Sequence, residues 1–103
     1  MTKANHLERV LVTGASGGIG EALARRFARA HHDLVLVARS EEKLKALAKE
    51  LTEKYQVDVV VISSDLAVPG EVAKLARNLK RRKLDIDILV NNAGINHTSP
   101  FEK

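Results

Sequence analysis

The sequence predicts an α/β fold in which a parallel sheet carries helices on both faces. Apolar residues follow two alternating patterns along the chain: short continuous runs, and longer stretches in which they recur every three to four positions. Continuous runs of Val, Ile and Leu are typical of parallel strands that are buried on both faces. Residues that favour turns and helix caps separate these segments, so each strand is expected to lead into a helix.

Four apolar runs are predicted to be strands. They are Val10–Val12, Leu34–Val37, Val57–Ile62 and Ile86–Val90. Right-handed crossovers restrict how these strands can be arranged. If the first three step outward and the fourth returns to the other side of the first, the order is 3-2-1-4, with two helices on one face and the third on the other. In such a doubly wound sheet, ligands bind where the order reverses, at the carboxyl ends of strands one and four.

Three apolar stripes predict the helices, each facing the sheet. The stripes are Ile19, Leu23, Phe27 and Ala30; Leu44, Leu47, Ala48, Leu51 and Tyr55; and Val72, Leu75, Ala76 and Leu79. We expect Ser40 to cap the second helix and Pro69 to lie in the first turn of the third. The basic run Lys80–Lys83 is expected to end the third helix, where cations oppose the helix dipole. A nucleic-acid patch is the less favoured interpretation of this run.

The composition indicates one globular unit and excludes several kinds of site. The chain has 103 residues, 45% of them hydrophobic, a net charge of +4 and no Cys. Without Cys there are no disulfides, thiolate zinc sites or cysteine nucleophiles, and a reducing compartment is permitted. No apolar run reaches the roughly 20 residues of a membrane span, so we expect a cytoplasmic protein with no membrane partner. One Tyr and two Phe provide no stacking platform, so we expect no nucleic-acid partner.

A glycine-rich turn follows the first strand, with the sequence Thr13-Gly14-Ala15-Ser16-Gly17-Gly18-Ile19-Gly20. We expect Gly14 to make the tight turn, Gly18 to let the backbone approach a phosphate, and Gly20 to let the helix pack against the sheet with no side chain between them. Backbone N–H groups at a helix N-terminus attract anions, and Ser16 can add a hydroxyl donor. The turn therefore predicts phosphate binding, with an ordinary strand-to-helix turn as the alternative.

The end of the second strand indicates which dinucleotide is preferred. The adenosine ribose lies there, and an acidic residue usually binds its hydroxyls. This chain has Arg39 instead, and a guanidinium can bind a 2′-phosphate through two parallel hydrogen bonds. An Arg in place of the usual acidic residue favours NADP(H) over NAD(H). The alternative is that Arg39 is a surface residue beside a helix cap.

Polar residues also follow the third and fourth strands. Asp65 can accept a hydrogen bond from an adenine amino group and Leu66 can cover the ring, or either can cap the next helix. Asn91 and Asn92 can contact the ligand or satisfy loop backbone groups. Both pairs are expected at the same crevice, because the carboxyl ends of parallel strands share one edge of the sheet.

Taken together, the glycine turn, Asp65-Leu66 and Asn91-Asn92-Ala93-Gly94 resemble the amino-terminal half of the short-chain dehydrogenase/reductase family, from Arg9 to Ile95. The resemblance implies a Rossmann-type fold and NADP(H)-dependent hydride transfer on a carbonyl or alcohol. It implies these contacts: Gly14, Ser16, Gly17, Gly18, Ile19 and Gly20 with the pyrophosphate, Arg39 with the 2′-phosphate, Asp65 and Leu66 with the adenine, and Asn91, Ala93 and Gly94 on the inner ribose side.

The sequence departs from the family pattern in two places. Members often have Gly between the first helix and second strand, where this chain has His31-His32-Asp33. We expect Asp33 to take the left-handed conformation there, and the two His to be solvated rather than metal ligands. The family's catalytic Ser, Tyr-x-x-x-Lys pair and helical Asn fall beyond Lys103. The one Tyr, Tyr55, is followed four residues later by Val59, so we assign no catalytic residue.

These features predict that residues 1–103 are an NADP(H)-binding Rossmann half-domain, truncated after the fourth strand. The fourth strand would then have a bare edge, and the sheet an apolar patch larger than monomers usually expose. We therefore expect self-association or a completing partner chain. The alternative function is a non-catalytic dinucleotide-binding or regulatory module that acts with a partner.

Overall fold

The computed structural model describes residues 8–92. The elements in chain order are β1 (Val10–Thr13), α1 (Gly18–Arg29), β2 (Leu34–Ala38), α2 (Glu41–Tyr55), β3 (Val59–Ser63), α3 (Glu71–Arg81) and β4 (Ile88–Val90). All strand pairs are parallel, in the order β3-β2-β1-β4, so the predicted fold class and strand order are confirmed. No helix in this part of the chain is both long and apolar enough to cross a bilayer.

The central strand β1 fixes the register of the sheet. Val10 pairs with Leu34 of β2 on one side and with Ile88 of β4 on the other. β1 and β2 are buried along their whole length, whereas β4 is only half-buried. The carboxyl ends of β1 and β4 therefore lie side by side, at the position where the strand order reverses.

Two apolar cores lie on opposite faces of the sheet, as predicted from right-handed crossovers. On one face, α1 and α2 pack on alternate strand residues such as Val12 and Leu36. On the other face, α3 packs on the intervening residues, including Leu11 and Val35. The alternation of side chains along each strand thus supplies both cores.

The buried face of α1 differs from the predicted stripe. Gly20, Ala24 and Ala28 are buried, whereas Ile19 is 70% exposed. Leu23 and Phe27 are half-buried and Ala30 is exposed. Small residues face the sheet because they let the helix approach it closely. The stripe prediction was wrong for Ile19 because it gave weight to large apolar residues, and for Ala30 because α1 ends at Arg29 and Ala30 is its C-cap.

The connection from α1 to β2 also differs from the expectation. His31, not Asp33, takes the left-handed conformation, with φ of +69°. The His31 N–H donates to the Ala28 carbonyl at 2.8 Å and the His32 N–H to the Phe27 carbonyl at 3.0 Å, which is the Schellman pattern of helix ends. Asp33 is buried instead, and its Oδ1 accepts from the backbone N–H of Asp58 at 2.9 Å.

Most element boundaries follow the sequence, with small shifts. Ser40 caps α2 as predicted, accepting from the Lys43 N–H at 3.4 Å. β3 and β4 each begin two residues later than predicted. α3 begins at Glu71 with Gly70 as its N-cap, so Pro69 precedes the helix rather than lying in its first turn. The basic run ends α3 as expected.

Candidate functional site

A crevice of about 360 Å³ opens at the carboxyl ends of β1, β2 and β3. It is lined by Gly14, Ser16, Val37, Ala38, Arg39, Ser64, Asp65, Leu66 and Ala67. Five of these residues are predicted site residues: Gly14, Ser16, Arg39, Asp65 and Leu66. The crevice lies at the carboxyl ends of the strands, as expected for a doubly wound sheet, but on the β2 and β3 side of β1 rather than between β1 and β4.

The glycine turn forms one wall of the crevice. Gly14 and Gly18 have φ of +64° and +56°, in the left-handed region that residues other than Gly rarely adopt. A Cβ on Gly18 would meet no atom within 4 Å, so the turn presents bare backbone to open space at this position. Gly17 is the N-cap of α1. The amino end of α1 is thus uncovered beside the crevice, as anion binding by backbone N–H groups requires.

Gly20 permits a close approach between α1 and this turn. A Cβ at Gly20 would lie 2.0 Å from the Gly14 carbonyl oxygen and 2.8 Å from Asn92 Nδ2. No side chain can occupy that space without moving backbone. The close packing at Gly20 is therefore made against the turn and the loop after β4, and not against a strand of the sheet as expected.

Arg39, which follows β2, and Ser16, in the glycine turn, both line the crevice. The Arg39 side chain is exposed, and none of the ion pairs within residues 8–92 includes it. Its backbone is held to β3, because Ser63 Oγ donates to the Arg39 carbonyl at 3.0 Å. An unpaired guanidinium on a fixed backbone is suited to binding an anionic ligand.

The Asp65 and Leu66 side chains both have structural contacts. Asp65 Oδ1 accepts from the Ala67 N–H at 3.1 Å, which closes a tight turn before α3 rather than capping the helix. Leu66 is 7% exposed and packs in the core beneath α3. Both residues nevertheless line the crevice, so a structural and a ligand-binding role are compatible for each.

The loop after β4 is tied to the glycine turn. Thr13 Oγ1 lies 3.3 Å from Asn91 Oδ1 and 3.4 Å from the Val90 carbonyl oxygen, and Asn92 Nδ2 donates to the Gly14 carbonyl at 3.4 Å. The Asn92 contact corresponds to the alternative in which Asn satisfies loop backbone groups, whereas Asn91 bonds the side chain of Thr13. Thr13 is only 2% exposed, so these contacts join the start of the glycine turn to the β4 loop inside the protein.

Several predicted site residues lie away from the crevice wall or outside the described residues. Gly17, Gly18, Ile19, Gly20 and Asn91 belong to the adjoining turn and loop rather than to the crevice lining. Ala93 and Gly94 lie outside the described residues. The structure thus brings together the ends of β1, β2 and β3, and places the loop after β4 beside them.

The sequence analysis missed Ser64 as a crevice residue. Its Oγ donates to Glu71 Oε1 at 2.9 Å, and its N–H donates to the Ala38 carbonyl at 2.9 Å. The signal was its position: Ser64 directly follows a strand, beside Asp65, at the edge where polar residues converge. Val37, Ala38 and Ala67 also line the crevice, but such residues give no chemical signal in a sequence.

A charged cluster joins α1 to α2 beside the glycine turn. Arg25 donates to Glu21 Oε2 at 3.0 Å through Nε and also bonds Glu50. The hydrogen bond from Arg25 lowers the pKa of the Glu50 carboxyl below its ordinary value, and the two Glu side chains raise the pKa of Arg25. Across residues 8–92, no group of three His, Asp or Glu could hold a metal ion.

Comparison with known sequences gives a consistent result. The sequence model of the family described as short chain dehydrogenase matches residues 8–103. A very-long-chain 3-oxoacyl-CoA reductase of Eremothecium gossypii is 40% identical over 90 residues, which are 87% of this chain and 26% of that protein. An 11-beta-hydroxysteroid dehydrogenase A of Sesamum indicum is 39% identical over 94 residues, which are 91% of this chain and 27% of that protein. The chain thus spans about a quarter of the length of these relatives.

Solved structures match the same part of the fold. A short-chain dehydrogenase from Sphingobium yanoikuyae in complex with NADPH is 46% identical with a TM-score of 0.78, covering 90% of this chain and 36% of that one. L-sorbose reductase from Gluconobacter frateurii, complexed with NADPH and L-sorbose, is 37% identical with a TM-score of 0.80 and coverages of 89% and 35%. A bulky-bulky ketone specific alcohol dehydrogenase from Comamonas testosteroni is 41% identical with a TM-score of 0.79, covering 94% and 38%.

Proposed function

Since this chain belongs to the short-chain dehydrogenase family, we propose that it forms the NADP(H)-binding part of an oxidoreductase that transfers hydride between NADPH and a carbonyl or alcohol substrate. The observation that carries the cofactor proposal is Arg39, an exposed cation without an ion pair at the end of β2, in a crevice that begins at the glycine turn. Two structural relatives are described as NADPH complexes, which supports the proposal.

The chain's own residues fit a dinucleotide. Bare backbone at Gly18 and the amino end of α1, where the N-cap Gly17 makes no side-chain hydrogen bond, suit a pyrophosphate, because N–H groups there attract anions. In this proposal Gly14, Ser16, Gly17, Gly18, Ile19 and Gly20 form the pyrophosphate site. Ile19 is 70% exposed next to the turn, so binding would also cover an apolar side chain.

Arg39 would hold the 2′-phosphate, with Asp65 and Leu66 at the adenine. The guanidinium offers the 2′-phosphate a positive charge and a planar pair of hydrogen-bond donors. NADH has no 2′-phosphate, so it cannot make this interaction. Asp65 keeps one carboxylate oxygen, Oδ2, beyond the turn bond made by Oδ1, so it can accept from an amino group while the loop stays closed. Asn91, Ala93 and Gly94 complete the proposed set on the inner ribose side.

NADPH, when bound, supplies the hydride, and the residues described here bind and orient it. We assign no residue of this chain to proton transfer. Tyr55 is the last residue of α2 and packs against the core. It therefore lies near the amino ends of the strands, whereas the crevice is at their carboxyl ends. The relatives' names refer to acyl-CoA and steroid substrates, two different classes, so we propose no substrate class.

We further propose that this half-domain, residues 1–103, self-associates or binds a completing chain. All three residues of β4 are half-buried, and within residues 8–92 that strand pairs with β1 alone. Covering the outer edge of β4 would bury apolar surface and pair exposed backbone groups. Light scattering at micromolar concentration tests this: we expect assemblies larger than 11.3 kDa, and a monodisperse monomer would contradict it.

The proposed cofactor site can be tested by nuclear magnetic resonance of the 15N-labelled chain during titration with NADPH. We expect amide shifts in the glycine turn and in residues 64–67, with little change at Asp33 and Asp58, which precede β2 and β3 at the amino ends of the strands. Shifts confined to the amino ends of the strands, or no shifts at saturating NADPH, would overturn the proposal.

A further inference from the structure

A second cleft lies between α3 and the segment 84–86, which leads into β4. The volume of this α3 cleft is about 310 Å³, at the lower end of the range for small-molecule sites. It shares no lining residue with the crevice at the carboxyl ends of the strands. A ligand of the α3 cleft therefore binds apart from the proposed cofactor site.

The α3 cleft has an apolar floor and a charged mouth. Four apolar lining residues are buried or half-buried: Ala76, Leu79, Leu84 and Ile86. The other lining residues are charged and exposed: Arg77, Lys80 and Asp85. Because the least exposed residues lie deepest, a ligand fits with apolar atoms inward and a charged group outward. This distribution suits an amphiphile.

Positive charge dominates around the mouth of the cleft. Residues 74–83 include no acid and six exposed cations: Lys74, Arg77, Lys80, Arg81, Arg82 and Lys83. None of the ion pairs within residues 8–92 includes any of these six. The dipole of α3 offsets only about half an elementary charge at its carboxyl end. Most of the positive charge is therefore uncompensated, and the ligand that complements it is an anion.

Asp85 limits the charge of that anion. Its carboxylate lines the same cleft and takes part in none of the ion pairs of the described residues. It disfavours a phosphate monoester, which carries about −1.5 to −2 at neutral pH, more than a carboxylate with its single charge. Arg77 can donate two parallel hydrogen bonds to a carboxylate, and Lys80 adds a point charge.

We infer that the α3 cleft binds an alkyl carboxylate of medium chain length. The chain lies on the apolar floor and the carboxylate at Arg77 and Lys80. The small volume of the cleft restricts the length of the chain. A nucleic acid complements the six cations but has no alkyl chain to cover the floor, so the amphiphile accounts for both features of the cleft.

The test is titration of the 15N-labelled chain with sodium octanoate, observed by nuclear magnetic resonance. We expect saturable amide shifts in residues 76–80 and 84–86. Sodium acetate has the same charge without the chain and should bind at least about tenfold more weakly, because each methylene group buried in an apolar site favours binding. 1-Octanol has the chain without the charge and should bind up to about fivefold more weakly than octanoate.

Two pairs of variants separate the charge from the floor, and circular dichroism verifies that each is folded. Lys80→Gln should weaken octanoate binding about two- to fivefold, whereas Lys74→Gln, on the same helix but outside the cleft, should not change it. Ala76→Met fills the floor and should abolish saturable binding. Ala73→Met adds the same side chain at an exposed position outside the cleft and should leave binding intact.

Several results would overturn the inference. Equal affinities for acetate and octanoate would show that the cations attract anions without the floor. Equal losses in Lys74→Gln and Lys80→Gln, or unchanged binding in Ala76→Met, would exclude the cleft as the site. Sedimentation with phosphatidylglycerol vesicles, or shifts with duplex DNA, in a chain that shows no octanoate shifts would assign the cations to a bilayer or a nucleic acid instead. None of these results bears on the proposed cofactor site.

Discussion

Gly20 lies so close to Gly14 that a Cβ on Gly20 would be 2.0 Å from the Gly14 carbonyl oxygen. This contact holds the amino end of α1 against the turn that leaves β1. The same carbonyl accepts from Asn92 Nδ2, so the loop after β4 is part of the same arrangement. The candidate phosphate site therefore depends on backbone packing between the turn, α1 and the β4 loop.

Gly20→Ala should destabilise the protein. The added methyl group overlaps backbone, which cannot rotate away as a flexible side chain would, so we expect a cost of about 2–3 kcal/mol in the free energy of unfolding. Urea denaturation measures it. Gly17→Ala is the control: its φ of −177° suits any residue and no atom lies within 4 Å of the new Cβ, so the loss should stay below about 1 kcal/mol. Equal losses would contradict the account.

Asp33→Ala should also destabilise the fold, at the amino end of the sheet. The substitution leaves the Asp58 N–H without its acceptor, a cost of about 1–3 kcal/mol. Asp33→Asn retains a side-chain oxygen and should cost less. Thermal unfolding by circular dichroism compares the variants with Asp85→Ala, an exposed acid for which we expect a change within about 0.5 kcal/mol. A loss at Asp33 no larger than at Asp85 would exclude the structural role.

The ion pair between Arg25 and Glu50 should make stability depend on pH. The pKa of Glu50 is lowered in the folded state by the hydrogen bond from Arg25, so the stabilisation is present above its ordinary value of 4.5 and is lost as the pH falls through the lowered pKa. The melting temperature of Glu50→Gln should therefore fall below that of the unsubstituted chain at pH 7, and the difference should disappear in acid.

Glu53→Gln is the control for the pH measurement, because Glu53 is exposed on the same helix and takes part in none of the ion pairs within residues 8–92. It should melt like the unsubstituted chain throughout. A difference for Glu50→Gln that is the same at pH 2 and pH 7 would show that the ion pair is not its cause.

The strand order could be predicted because continuous apolar runs and right-handed crossovers restrict the topology strongly. The ligand site was expected between the carboxyl ends of β1 and β4, whereas the crevice is lined from the ends of β1, β2 and β3. The buried face of α1 could not, since Gly20 and Ala24 give little apolar signal. The left-handed residue after α1 was placed at Asp33 on residue preference, whereas the Schellman hydrogen bonds set it at His31. Ser64 was missed although its position at a strand end indicated it.

Arg39→Asp gives the most direct test of the central claim, that this crevice binds NADP(H) through a contact with the 2′-phosphate. We expect the unsubstituted chain to bind NADPH at least about tenfold more tightly than NADH, and Arg39→Asp to reverse that preference, because a carboxylate repels the phosphate and accepts from ribose hydroxyls. Arg77→Asp makes the same charge change on exposed α3, outside the crevice, and should leave the preference intact. Comparable affinities of the unsubstituted chain for both dinucleotides, or an unchanged ratio in Arg39→Asp, would contradict the claim.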